Sequence, residues 1–198
     1  MVQLYKNAVI QTLRDRRMRS INFQYGPSRV YQTGYQDVAK LVEDGHIRFE
    51  ISRNGNASYG VDSDPGQVHT WSVSNNTVEQ DSSGNLRLKR PLSNEELGTI
   101  VHEATHALQD YQRHQRNLSP QMAEGSAYIA SWLARLTWGF PRLQRGVDYS
   151  RFSHTYARWV AGKVLDGEIT YIIPTRDVNQ LNGLVLIGSP HRYVFNGI

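Results

Sequence analysis

The sequence contains no cysteine among its 198 residues, which removes disulfide scaffolds, thiol nucleophiles and any zinc site built on thiolates. No run approaches the ~18 consecutive apolar residues that mark a membrane-spanning helix, so no membrane span is expected. Residues 1–20 lack both an apolar h-region and a small-residue cleavage site, so the chain is expected to be cytoplasmic as synthesised, or exported by a signal-independent route. Internal repeats and low-complexity tracts are also missing. What is present, 39% hydrophobic and 10% aromatic residues, is too much for a disordered or acidic-tail protein. At about 100–200 residues per domain, the length fits one domain, or one domain with an appendage.

The net charge of +4 is unevenly placed. Residues 1–20 hold Lys6, Arg14, Arg16, Arg17 and Arg19 against Asp15, and the remaining chain is balanced. The candidate appendage is therefore a basic N-terminal helix over 1–20, with a single domain over 21–198.

Within residues 2–18, Leu4, Ala8 and Leu13 give a weak helical stripe. Residues 21–37 are turn-rich and aromatic, with Gly26-Pro27 as punctuation. Residues 37–45 read as a short helix. Ile47, Phe49 and Ile51 then alternate with Arg48, Glu50 and Ser52, the pattern of a half-buried strand. Turn signals at Asn54-Gly55, Pro65-Gly66 and Ser83-Gly84-Asn85 separate short runs such as 68–73 and 86–89. A small antiparallel sheet over 47–90, ending on strand 86–89, is the expectation.

From Pro91 the pattern turns helical, through residue 167. Ser93 and Glu96 form a capping box that opens a helix over 94–113, with Leu97, Ile100, Val101, Ala104, Leu108 and Tyr111 on its core stripe. After a polar turn at 114–118, Ser119-Pro120 restarts a helix that Gly139 and Pro141 end. A third helix spans 153–165, closed by Gly167. The tail, 168–198, holds an apolar run at Tyr171, Ile172 and Ile173, then 181–187 and His191-Arg192-Tyr193. The fold class is thus α+β: a small sheet, then a helical half.

His102-Glu103-Ala104-Thr105-His106 is the constellation that carries chemistry. Histidines at i and i+4 share a helix face, so both imidazoles can reach one ion. Glu103 lies about 100° around the helix from His102, placed to accept a proton from an attacking water rather than to bind metal. With 7 His and 8 Glu, a shuffled chain of this length would contain the motif about 0.01 times. Both histidines fall opposite the core stripe, toward solvent or a cleft.

A catalytic zinc needs a third protein ligand, and Glu124 is the candidate. It is the only acidic residue between Asp110 and Asp148, on a helix that is otherwise nearly apolar. A carboxylate there needs a partner, since unpaired burial costs several kcal/mol; the competing reading is an acid favoured by the helix dipole. An antiparallel helix pair would bring His106 and Glu124 to matching heights, and Gly125, Ser126 and Ala127 would let the helices approach closely. Asp110, at i+4 from His106, could orient that imidazole. Tyr128 reads as packing, and His46, His69 and His114 as surface or loop residues.

Together, HExxH and a downstream helical Glu resemble the zincin metallopeptidases of the gluzincin type. The nearer likeness is to small bacterial and archaeal zincins reading H-E-x-x-H-A-x-Q-D followed by E-G-x-A, matched here by His102–His106, Ala107, Gln109-Asp110 and Glu124-Gly125-Ser126-Ala127. This likeness covers about 86–135, and the metzincin pattern is not matched, because Gln112 stands where a further histidine would be. The resemblance implies a zincin-like fold and Zn2+ on His102, His106 and Glu124. It also implies peptide hydrolysis with Glu103 as general base, and a protein or peptide substrate added along strand 86–89. A Tyr, His or Arg donor to the oxyanion is implied as well; His154, Tyr156, His191 and Tyr193 are open candidates.

Other readings compete. The arginines of 14–19 favour docking on nucleic acid or an anionic surface, although the neutral body and the lack of any nucleic-acid motif argue against it. A structural or vestigial metal site is a third reading, against which the intact Glu103 stands. Small size without cysteine or signal also suits a delivered toxin or effector protease.

Overall fold

In the computed structural model, which describes residues 4–52, 55–60, 69–112, 118–144 and 148–186, α1 (Tyr5–Arg14) lays Tyr5, Ala8, Val9 and Leu13 into the core. The spacing is that of one helix face. A 3₁₀ turn (Arg16–Ser20) follows, with the Asp15 carboxylate accepting from the Arg17 N–H at 2.8 Å. Residues 1–20 are set apart by charge, but residues 4–20 are not set apart by packing. The Arg14 guanidinium meets both Glu43 carboxylate oxygens at 2.8 and 2.5 Å, and Arg17 pairs with Asp15 while lying 5.5 Å from the Trp138 ring. Two of the four clustered arginines are therefore engaged within the chain, which weakens the anionic-surface reading.

Residues 21–37 contain more order than their turn signals suggest. β1 (Asn22–Tyr25) and β2 (Ser28–Tyr31) form a hairpin across Gly26, whose φ of +55° suits glycine. Phe23, Tyr25 and Val30 are fully buried on its inner face. α2 (Gln32–Glu43) begins five residues earlier than residue 37. Its N-cap is Tyr31, with no side-chain cap, so the usual Ser/Asp start signal is missing.

β3 (Ile47–Ile51), β4 (Ser58–Gly60) and β5 (His69–Val73) form one sheet in the order β3-β5-β4, while β6 (Val78–Gln80) and β7 (Leu86–Leu88) form a separate hairpin. The expected single antiparallel sheet is corrected on two counts. β3 pairs with β5 in parallel, and the strands divide into three small sheets among the described residues. The reason lies in β4, which follows β3 in sequence but pairs antiparallel on the far side of β5, leaving β3 and β5 codirectional.

α3 (Asn94–Tyr111), α4 (Pro120–Thr137) and α5 (Ser153–Leu165) match the helical expectations. α6 (Thr175–Leu186) arises in the tail, where Val178, Leu181 and Val185 form a short buried stripe on a mostly polar segment. α4 is the central helix, packed on α3, α5 and α6, and one hydrophobic cluster joins α1, the strands and the helices. The class is α+β, and no described helix is long and apolar enough to cross a membrane.

The capping box fixes where α3 begins and so the phase of its face. The Glu96 N–H donates to Ser93 Oγ at 3.3 Å, and the Ser93 N–H donates to Glu96 Oε2 at 2.8 Å. Glu96 also receives Thr77 Oγ1 at 2.8 Å, beside β6, and Arg90 Nη1 at 2.7 Å. Burial pushes its carboxyl up, but Arg90, Ser93 and Thr77 outweigh it and hold the pKa at about 2, below the ordinary 4.5. Ser93→Ala should lower stability by about 1 kcal/mol in chemical denaturation. The Glu96 contribution is full above the unfolded value and is lost as pH falls from there through the folded value. Glu96→Gln should accordingly flatten the acid limb of a stability–pH curve; an unchanged limb would contradict this assignment.

Candidate metal centre

From Gly98 to Asp110, α3 is buried on most sides, so of the two expectations for its histidine face, solvent or a cleft, open solvent is excluded. α4 lies across that face. Gln109 meets Ser126, His106 meets Glu124, and Arg135 packs on Gly98, so the two helices run antiparallel. The His106 side chain is left 2% exposed and that of His102 16%. Gly125 does not serve the α3–α4 approach: it makes room for Tyr25, whose hydroxyl oxygen would stand 2.5 Å from an added Cβ.

Three donors converge here. His102 Nε2 and His106 Nε2 are 3.2 Å apart, His102 Nε2 is 3.3 Å from Glu124 Oε2, and His106 Nε2 is 3.9 Å from Glu124 Oε1. Nitrogen and oxygen ligands about 2.0–2.1 Å from a tetrahedral ion stand about 3.3 Å from one another. Two of the three edges already have that length. His102, His106 and Glu124 therefore form a group that could hold a metal ion, with donor atoms within 4.8 Å of one another.

Support for the site comes from α4 as well as α3. Gln109 donates its amide N–H to Ser126 Oγ at 2.6 Å and to the Ala123 carbonyl at 3.2 Å. That fixes the amide, so its oxygen is the atom 3.2 Å from His106 Nδ1. His106 then carries its proton on Nδ1 and presents the Nε2 lone pair to an ion. The orienting role expected of Asp110 is thus filled by Gln109, which sits at i+3 in the same motif.

Asp110 is directed to a buried cluster that was not anticipated. Tyr59 Oη lies 2.8 Å from His69 Nδ1 and 3.3 Å from Asp110 Oδ2, and His69 Nδ1 is 3.2 Å from the same oxygen. His69 is 6% exposed, not a surface residue, and its ring stacks on Tyr59 at 5.8 Å between centroids. Burial pushes the His69 pKa down against the pull of Asp110. The neutral Nδ1–H tautomer donates to Tyr59 Oη, and the tyrosine in turn donates to Asp110. Only its place in the alternating run 69–73, facing inward like Trp71 and Val73, could have signalled this.

The same Tyr59 reaches Glu103: its backbone N–H donates to Glu103 Oε2 at 2.6 Å. Burial raises the Glu103 pKa, opposed by His102 and by this N–H. Burial lowers His106 to about 4, and the charge of His102 adds to the effect, so His106 is neutral as a ligand must be. His102 is pulled the other way: despite burial, its hydrogen bond to Glu124 and the charges of Glu103 and Glu124 raise it.

The remaining candidates separate. The His154 ring lies 4.4 Å from the Tyr128 ring, which lies 5.1 Å from the His102 ring, so both flank the site beside His102. Tyr128 is closer to the chemistry than its packing role suggested. Tyr156 is engaged elsewhere, donating to Asp177 Oδ1 at 2.8 Å beneath α6. His191 and Tyr193 lie outside the described residues, as does His114. On strand 86–89, β7 pairs with β6 on one side and Arg87 bridges to Leu4 on the other; among the described residues, β4 is an edge strand and lies beside Glu103.

Comparison with protein-family models, curated proteins and solved structures returns no match. The likeness to zincins therefore rests on the sequence motifs of 86–135 alone. Since Gln109 orients His106, Gln109→Leu should weaken metal binding about 10–100-fold, measured by competition with a chromogenic chelator. Wild-type affinity in that variant would remove Gln109 from the site.

Proposed function

We propose that this chain is a zinc-dependent metallopeptidase that hydrolyses peptide bonds in a protein or peptide substrate. The observation that carries the reading is the convergence of His102 and His106 of α3 with Glu124 of α4, two of the three donor separations being those of a tetrahedral ion, with Glu103 buried beside them. Two imidazoles and one carboxylate suit zinc, and three protein ligands leave a fourth position open for chemistry. When bound, the ion supplies Lewis acidity, polarising a carbonyl and lowering the pKa of water.

Glu103 does the proton work. It takes one proton from water as the oxygen attacks the carbonyl carbon. It returns that proton to the amine nitrogen as the carbon–nitrogen bond breaks. The Tyr59 N–H holds the carboxylate in place, and burial raises its proton affinity, which favours uptake. Tyr128 and His154, beside His102, stand on the side from which a donor could reach the developing oxyanion.

Elemental mass spectrometry and a peptide-cleavage assay on the same samples test this. Wild type should carry stoichiometric zinc and cleave. Glu124→Ala should lose the zinc. Glu103→Gln should keep it and lose cleavage by several orders of magnitude. Wild type that binds no zinc, or Glu103→Gln that cleaves at the wild-type rate, would sink the proposal.

A further inference from the structure

Beyond the metal ligands, the α4–α5 side of the site continues in two registered tiers. Tyr128 and Trp132 are one turn apart on α4, and His154 and Arg158 one turn apart on α5. Tyr128 meets His154 at 4.4 Å between rings, and Trp132 meets Arg158 at 5.0 Å from guanidinium carbon to ring centre. The first tier touches His102. The second holds a further cation: Arg135, whose guanidinium carbon lies 4.9 Å from the same Trp132 ring. Two guanidinium groups sharing one ring at these distances are at most about 10 Å apart.

Their electrostatics are unbalanced. Among the described residues, neither Arg135 nor Arg158 forms an ion pair with a carboxylate, whereas Arg14, Arg17, Arg87, Arg90 and Arg142 all do. Their acceptors are backbone carbonyls: Glu95 O for Arg135, at 3.4 Å, and Pro141 O for Arg158. Both Nε atoms and the Trp132 indole nitrogen are buried without a hydrogen-bond acceptor. Arg135 is also pressed on Gly98, the α3 position one turn before His102, and its charge is felt at both His102 and His154. Two half-buried cations and three donors lacking acceptors, one turn from a candidate catalytic site, form an arrangement that an anion would complete.

We infer that Arg135, Arg158 and Trp132 form a carboxylate-recognition subsite that selects acidic peptide substrates. The inference rests on the peptidase reading. Gly98, on which Arg135 is pressed, lies about 6 Å before His102 along α3 at ~1.5 Å per residue. An extended peptide covers that in about two residues at ~3.3 Å each. The recognised carboxylate is therefore about two or three residues from the scissile bond. It belongs either to an Asp or Glu side chain or to the free C-terminus.

Three peptides that differ only in charge separate these sources: one with an internal Glu and an amidated C-terminus, one with Gln and a free C-terminus, and a neutral one with Gln and an amide. Cleavage by the full-length, zinc-loaded wild type should favour one or both acidic peptides about tenfold or more in kcat/KM. Arg135→Gln and Arg158→Gln should each collapse that preference. The second measurement needs no cleavage: the Trp132 indole N–H resonance of the Glu103→Gln protein, followed by NMR during titration with the same peptides. A shift with an acidic peptide, absent with the neutral one and lost when Arg158→Gln is added, supports the subsite even if wild type cleaves nothing. That last result would remove only the peptidase reading. Equal responses to all three peptides, with or without cleavage, would overturn the subsite. A preference unchanged in both arginine variants would do the same.

Discussion

Glu124 is 5% exposed on a helix whose neighbours are Ala123, Gly125, Ser126 and Ala127, and keeping a carboxylate there is the constraint around which the centre is arranged. Its burial is tolerable because His102 and His106 stand within 3.3 and 3.9 Å on the facing helix. That requires α3 and α4 to be antiparallel, close, and locked in one axial register. The register is set by Gln109, which spans from His106 to Ser126 and the Ala123 carbonyl. A slip of one residue along either helix would turn a donor about 100° away from the common point. Helix packing and ligand geometry are consequently one requirement.

The sheet is bound to the same helix by a second polar bridge. Tyr59 on β4 uses its amide on Glu103 and its hydroxyl on Asp110, two turns apart on α3. The edge strand cannot move relative to the Glu103 face without breaking both. Buried polar links of this kind specify a unique arrangement more strongly than apolar contacts, because each broken partner leaves a desolvated group behind. Glu103 is thereby held from the sheet side, and His106 from the α4 side.

The local features of the centre could be read from the sequence because they depend on short-range periodicity. The i, i+4 histidines, the Ser93–Glu96 box, the Ser119-Pro120 start and the isolation of Glu124 each reside within one helix or one turn. Long-range pairing could not be read in this way. The parallel match of β3 with β5, the 10-residue separation of Tyr59 from His69 and the approach of both to Asp110 depend on sheet order, which three short strands do not specify. The first turns of α2 escaped because its start has no capping side chain, and α6 because its apolar stripe is interrupted by polar residues and Gly183. Asp110 illustrates the limit well. Spacing put it on the correct side of α3, but its partner comes from a strand folded in from elsewhere.

Polarity changes steadily across the site. At the β4 side, the buried carboxyl groups of Glu103 and Asp110 stand beside His69 and His106, whose pKa values burial lowers. Around Trp132, Arg135 and Arg158 place positive charge without matching carboxylates among the described residues. The metal ligands lie between. Under the proposed function, a peptide lying across α3 and α4 would have its reacting carbonyl at the centre and an acidic group toward the arginines. The field would favour one binding direction over its reverse, since the reverse sets a carboxylate against Glu103 and Asp110. Tyr128 and His154 separate the two regions and remain close to His102. The guanidinium groups thus stand about one turn from the three candidate ligands, since direct contact would compete with a bound cation.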